Sequence, residues 1–286
     1  MTWITSALLM YLFSVLFYLL TRSAQKRNIS LQEYSLWGFG LPAIGYTMAI
    51  LVTKESLQTS GINWFWLIFS SIFFSWLGNY FSQKSMILAP NPGYPLIISK
   101  SYVVYTAVAS IWLFSAPLSL KAVMAILMIV TFSAIITISR TNNLKKSESK
   151  IWFFYAMGAF FCWGSLALAS KFLLNNGVSV LLRLWVIHLI VGSMLAFELI
   201  QKRIKINWSL NKTWLLFSLG ISGGLFNYFM QLGFSLVTNP GVINAVNAAS
   251  ISAVTIFSAM IFKDELNLRK IIGIIGVTAG LIILMV

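Results

Sequence analysis

The side chains able to do chemistry are few in this sequence, and most lie inside apolar runs. Lys100 is the sharpest case, with Ser99, Ser101 and Tyr102 beside it. Its ammonium sits about 10 Å along a hydrophobic stretch that starts at Gly93. A cation at that depth either holds an anionic or zwitterionic solute or extends its stem and returns the charge to the headgroups. Asn244, Asn247 and Ser250 recur in steps of three and share one flank of a helix. They can hydrogen-bond a solute, or they can bond across to a neighbouring helix. Asn79, Tyr80 and Gln83 return 148 residues later as Asn227, Tyr228 and Gln231. Asn and Gln four apart face the same way, so each set is a polar turn that serves as a gate or as glue between helices. His188 can relay a proton near neutral pH, or it can be a packing residue held by a hydrogen bond. Trp163, next to Cys162, lines a cavity or faces lipid.

What is missing is as informative. One histidine and one cysteine make no metal-ligand cluster and no intrachain disulfide. A Ser-His-acid set has only His188 to draw on, and no acidic cluster lies at bilayer depth. There is no Gly-rich phosphate loop and no nucleotide-binding motif, so any use of ATP would need a partner. An enzyme is not expected, nor is a cofactor or metal. The formal net charge of +14 does not point to nucleic acid, because the basic residues sit between apolar runs and build no patch.

The elements that must position these residues follow from composition. Of 286 residues, 59% are hydrophobic and 9% charged, with a mean hydropathy of +0.86. Soluble domains carry about a quarter charged residues. This chain cannot cover a water-facing surface, so its solvent is lipid. A helix needs roughly 20 apolar residues to cross the hydrocarbon core. Ten runs qualify: 3–21, 34–53, 62–82, 93–114, 120–139, 152–174, 178–200, 213–236, 241–262 and 270–286. Alternating segments of the β-barrel kind are absent, and in lipid a helix satisfies its own backbone. The expected class is all-α integral membrane. The N-terminus has no basic n-region or cleavage site, so its first apolar run is expected to remain. Pro42, inside span 2, predicts a kink. Gly220 with Gly224, and Gly276 with Gly280, are spaced for close helix contact.

The sequence also repeats. Shifted by 148 residues, Asn79-Tyr80-Phe81 falls on Asn227-Tyr228-Phe229, Gln83 on Gln231, and Asn91-Pro92-Gly93 on Asn239-Pro240-Gly241. Pro117 to Lys121 falls on Glu265 to Arg269, and Trp37 on Trp185. Chance similarity between apolar helices gives scattered Leu and Ile, not Asn, Gln and Pro-Gly in register. The expected halves are 1–140 and 151–286, joined by the polar linker 141–150. Five spans is an odd number, so the second half enters from the opposite side and the halves form an inverted repeat. The links after odd-numbered spans hold fifteen Lys or Arg: Arg22, Lys26, Arg27, Lys84, Arg140, Lys145, Lys146, Lys150, Lys202, Arg203, Lys205, Lys212, Lys263, Arg269 and Lys270. Lys54 and Lys121 lie in the other links, and Lys171 and Arg183 at helix ends beside the turn between spans 6 and 7. The positive-inside rule then places both termini outside.

The half-repeat resembles the EamA domain of the drug/metabolite transporter superfamily. The resemblance rests on the paired five-span halves, the Asn-Pro-Gly that starts spans 4 and 9, and the close of the second half. That close is Asp264-Glu265-Leu266-Asn267-Leu268 followed by a span carrying Gly273, Gly276 and Gly280. In the first half Ala116-Pro117 stands where the acidic pair would be. The resemblance implies a ten-helix metabolite or drug transporter with a central cavity, and cytoplasmic termini, against the charge count. The related four-helix exporters keep a glutamate in their first span. Neither span 1 nor span 6 has an acidic residue here, which speaks against simple proton-for-cation exchange of that kind. The expected partners are a small-molecule solute, the lipid bilayer of the cell membrane, and a coupling ion, H+ or Na+. A lipid scramblase and a non-transporting structural membrane protein stay open as alternatives.

Overall fold

The computed structural model describes residues 1–89, 93–137, 150–203 and 209–286. Asn91 and Pro92 at the start of span 4, the last residues of span 5, residues 141–149 of the linker, and Lys205 lie outside them. Ten helical segments among the described residues are long and apolar enough to cross a membrane, with mean hydropathies of 1.3 to 2.2 over their best windows. They are α1 (Trp3–Lys26), α2 (Leu31–Thr53), a third segment of α3 (Gly61–Phe69), a π-helical stretch (Ser70–Trp76) and α4 (Leu77–Leu88), and a fourth of α5 (Gly93–Lys100) and α6 (Tyr102–Phe114). Then follow α7 (Leu120–Thr137), α8 (Ile151–Asn175), α9 (Val180–Gln201), α10 (Leu210–Leu236), α11 (Pro240–Phe262) and α12 (Leu268–Met285). All ten expected spans correspond to observed ones. The third is longer than expected, and the fourth is broken at Ser101.

Helix starts are set by the capping side chains in the sequence. Thr2, Ser30, Ser60, Ser179 and Asn267 each accept a hydrogen bond from a backbone N–H three residues on, which an uncapped first turn leaves without a partner. The repeat recurs in these details. Ser119 accepts from the N–H of Ala122 and Asn267 from that of Lys270, both at 3.1 Å. Ser115 and Lys263 close α6 and α11 in the left-handed region (φ 50° and 57°), and their N–H groups donate to the carbonyls of Ser110 and Ser258. Each pair is 148 residues apart.

The chain forms two compact units, and each draws on both sequence halves. The first holds residues 1–72 and 170–236, the second 73–169 and 237–286. In the first, α10 packs on α1 and α2, and α2 on α9. Its cores gather Leu67, Leu173, Val178, Leu182 and Val186, and Ala24, Ile29, Leu215 and Leu216. Glycines set the separations. A Cβ at Gly220 would lie 2.7 Å from the Trp37 carbonyl oxygen, and one at Gly224 3.3 Å from the Pro42 ring. In the second unit, α12 lies along α7 through Gly273, Gly276 and Gly280, where an added Cβ would strike Ile136, Phe132 and Ile129. Lipid offers little hydrophobic drive between helices, so close packing through small residues takes over.

The inversion is visible inside each unit. Span 2 and span 7 are equivalent under the 148-residue shift. Trp185 donates from Nε1 to Thr47 Oγ1 at 2.9 Å, whereas Gly192 meets Gly40, so α2 and α9 run antiparallel. Spans 5 and 10 do the same: Gly273 meets Ile136, and Gly280 meets Ile129. Equivalent helices would run parallel in a non-inverted repeat. The fold is all-α, with inverted-topology repeats of five spans.

Candidate functional site

The first unit holds a buried cationic cluster. Ser179 caps α9, which fixes Arg183 one turn in, its N–H donating to the Ser179 carbonyl at 3.0 Å. At such a position a snorkelling arginine would leave its head exposed. Arg183 is instead 0% exposed, among the largest fully buried side chains. Its Nη2 donates to Ser170 Oγ at 3.2 Å on α8, while Nε and Nη1 have no partner. Ser170 also accepts from Gln231 Nε2 on α10 at 3.3 Å, and Gln231 Oε1 is buried and unpartnered. The next residue along α8, Lys171, is buried too, its Nζ donating to the Phe234 carbonyl at 3.0 Å. No acidic side chain pairs with either cation among the described residues. Glu33 pairs with Lys212 and Glu198 with Lys202, on other turns.

His188 lies 1% exposed one turn beyond Arg183, between the rings of Phe39 and Tyr46, whose centroids are 5.4 and 5.0 Å away. Its Nδ1 is 2.8 Å from the Leu184 carbonyl. A carbonyl only accepts, so Nδ1 carries the proton, and Nε2 is a buried acceptor without a partner. Tyr46 donates to the Gly224 carbonyl at 2.7 Å. It opens, with Pro42, Thr53, Gly220 and Tyr228, onto a groove of about 580 Å³ along α2 and α10. That is where Tyr228 sits, half-buried.

In the second unit α11 carries a polar row. Asn244, Asn247 and Ser250 are 1%, 5% and 1% exposed. Ser250 donates to the Asn247 carbonyl at 2.7 Å, but Asn244 Nδ2 and Asn247 Oδ1 have no partner. Lys100 ends α5 at the break in span 4 and lines a cavity of about 50 Å³ with Ser101, Ser133, Thr137 and its repeat equivalent Ala248. That space suits a few waters. Ser99 is buried and donates to the Leu96 carbonyl at 3.2 Å, and the Tyr102 carbonyl accepts from Thr106.

The matched polar turns behave alike in their asparagines. Asn79 Nδ2 donates to the Ser75 carbonyl at 3.0 Å, and Asn227 Nδ2 to the Gly223 carbonyl at 2.8 Å. Both are bonds within one helix to the residue four back. Tyr80 stacks on Trp76 and meets Tyr155, with Lys84 over its ring at 5.9 Å. Gln83 and Trp163 are half-buried. Cys162 is buried, its Sγ 3.5 Å from the Phe73 carbonyl. The second Asn-Pro-Gly has a structural duty. Asn239 caps α11 through Gly241 N–H at 2.9 Å, and its Nδ2 donates to the carbonyls of Ala107 and Ala116, each at 3.0 Å, which ties α11 to α6.

The site residues predicted from sequence therefore fall in two places: His188, Asn227, Tyr228 and Gln231 in the first unit, the others in the second. Ser170, Lys171 and Arg183 are not among them: in the sequence Lys171 and Arg183 count only as charges at helix ends beside the turn between spans 6 and 7, and no acidic residue within spans 6 and 7 up to Val191 marks them as paired.

An all-helical chain with ten apolar spans in an inverted repeat belongs to the class of multi-pass membrane proteins. Residues 150–286 match the EamA-like transporter family, so the second half of the chain is similar to that family, as the motifs in the sequence imply. One solved crystal structure superimposes with a TM-score of 0.80 at 13% sequence identity, over 98% of this chain and 96% of that one, and so shares the fold. No curated protein matches significantly.

Proposed function

We propose that the protein is a secondary transporter, and in direction an exporter, of a small metabolite such as an amino acid or a related compound, in the plasma membrane. The halves 1–140 and 151–286, joined by 141–150, interchange conformations in alternating access, with a gradient of H+ or Na+ as the drive. The observation that carries this reading is the set of buried polar atoms left without partners in α9, α10 and α11: Arg183 Nε and Nη1, His188 Nε2, Gln231 Oε1, Asn244 Nδ2 and Asn247 Oδ1. An unmatched polar group in a low-dielectric interior costs about 1–3 kcal/mol, and more for a charged one. A helix bundle tolerates such groups where a solute completes them. The family match of the second half supports the same reading.

The test is a flux screen with purified full-length protein in liposomes, against labelled amino acids, sugars, nucleotides and cationic drugs, with and without a pH or Na+ gradient. Saturable flux of one class supports the reading. Lipid scrambling with no solute flux refutes it in favour of a scramblase. Lys100→Ala with unchanged transport removes Lys100 from the binding set.

A further inference from the structure

We infer that Arg183, with Lys171, Ser170 and Gln231, forms a binding site for the anionic group of the transported solute, a carboxylate or a phosphate. The inference rests on the transport reading above and names its substrate class.

The argument starts from electrostatics. Two cations are buried in one unit: Arg183 is 0% exposed and Lys171 6%. A buried charge is held by an opposite charge or by a full set of hydrogen bonds. Arg183 has neither: of its three nitrogens only Nη2 has a partner, the neutral Ser170 hydroxyl. Lys171 has one neutral carbonyl. The position would permit both side chains to reach the headgroups, yet Arg183 turns its fork into the protein, and covered N–H groups there await an acceptor. A guanidinium offers parallel N–H pairs, the arrangement that a carboxylate or phosphate oxygen pair accepts.

The neighbours fit that role. Ser170 lies on α8, Arg183 on α9 and Gln231 on α10, so three helices meet at one hydroxyl. Lys171 reaches the Phe234 carbonyl, one turn along α10 from Gln231. The unpartnered Gln231 Oε1 can accept from an ammonium or hydroxyl on the same solute. The repeat equivalents of Ser170, Lys171 and Arg183 are Arg22, Ser23 and Ser35, so the two halves place their charge differently.

The experiment uses full-length protein in phosphatidylcholine vesicles, which contain no anionic lipid. The probes are labelled phenylalanine, succinate and inorganic phosphate, with phenylalaninamide and glucose as partners lacking the anion. Uptake and equilibrium dialysis are both measured, on wild type and on Arg183→Gln, Arg183→Lys and Lys171→Gln of confirmed wild-type melting behaviour. We expect an anionic probe to bind and move, its amide or neutral counterpart not to, and Arg183→Gln to weaken binding roughly tenfold or more, with Arg183→Lys in between. Wild-type flux of a neutral or cationic solute that Arg183→Gln leaves unchanged overturns the proposal and spares the transport reading. Anion binding by dialysis, lost in Arg183→Gln but without flux of any probe, overturns the transport reading and spares the site. With phosphatidylglycerol added, retention of that lipid by wild type but not by Arg183→Gln, with solute binding unaffected, assigns the site to a lipid phosphate and overturns the proposal.

Discussion

Replacing Gly241 by alanine should separate α11 from α6. A Cβ at Gly241 would stand 2.5 Å from Ala107 Cβ, 2.6 Å from its Cα and 2.9 Å from its N. Carbon atoms rest at about 3.5–4.0 Å, so the helices must part by about 1 Å. Two of the three obstructing atoms are backbone, and no rotamer relieves them. The same displacement stretches the two 3.0 Å bonds from Asn239 Nδ2 to Ala107 and Ala116 beyond hydrogen-bond range. Overpacking costs about 1–3 kcal/mol, and each lost bond about 0.5–1.5 kcal/mol. Against these stands a gain of up to about 1 kcal/mol from replacing a helical glycine. The net loss is about 1–6 kcal/mol. Gly45→Ala is the control, because nothing lies within 4 Å of its Cβ; it should leave stability unchanged or raise it by up to about 1 kcal/mol. Unfolding free energies from detergent titration in mixed micelles decide the matter. If Gly241→Ala unfolds at the same midpoint as Gly45→Ala, the close approach of α11 and α6 is not as described and the reasoning fails.

Asn239→Ala removes the cap of α11 and both bonds to α6, and should cost about 1.5–5 kcal/mol in the same titration. Gly276→Ala meets the Phe132 ring at 2.2 Å, a side chain that can be removed. The double variant Gly276→Ala/Phe132→Ala should lose less than the sum of the single losses, which a double-mutant cycle measures. Lys212→Ala leaves Glu33, 3% exposed, without its cation 2.7 Å away. It should destabilise by about 1–3 kcal/mol, and Glu33→Gln in the same background should restore part of the loss.

Asn79 and Asn227 illustrate why matched residues need not be binding residues. The repeat preserved them because each amide closes on the carbonyl four residues back in its own helix, a local bond that recurs wherever the helix recurs. The second Asn-Pro-Gly is similar: its capping and its ties to α6 account for its presence. Lys100, conspicuous in the sequence, lines only a small cavity. Arg183 and Lys171, inconspicuous there, are the cations the fold covers.

Ten spans, the 148-residue repeat, its inversion and the resemblance of the second half to the EamA family were determined by the sequence alone. Those properties are local or additive: transfer of a span into lipid sums over its residues, a cap depends on four neighbours, and an odd number of crossings fixes the inversion. Which polar groups meet was decided only by tertiary structure. The spans are apolar nearly all round, so no stripe in the sequence marks the face that turns inward. Lipid solvates an apolar face as well as a protein does, and helix contacts are chosen instead by glycines whose opposite surfaces lie far away in the chain. Gly220 on Trp37, Gly192 on Gly40 and Gly276 on Phe132 are such contacts. The first two hold α10 and α9, which carry Gln231 and Arg183, against α2; that Ser170 of α8 joins the two is a juxtaposition that no spacing along the chain encodes.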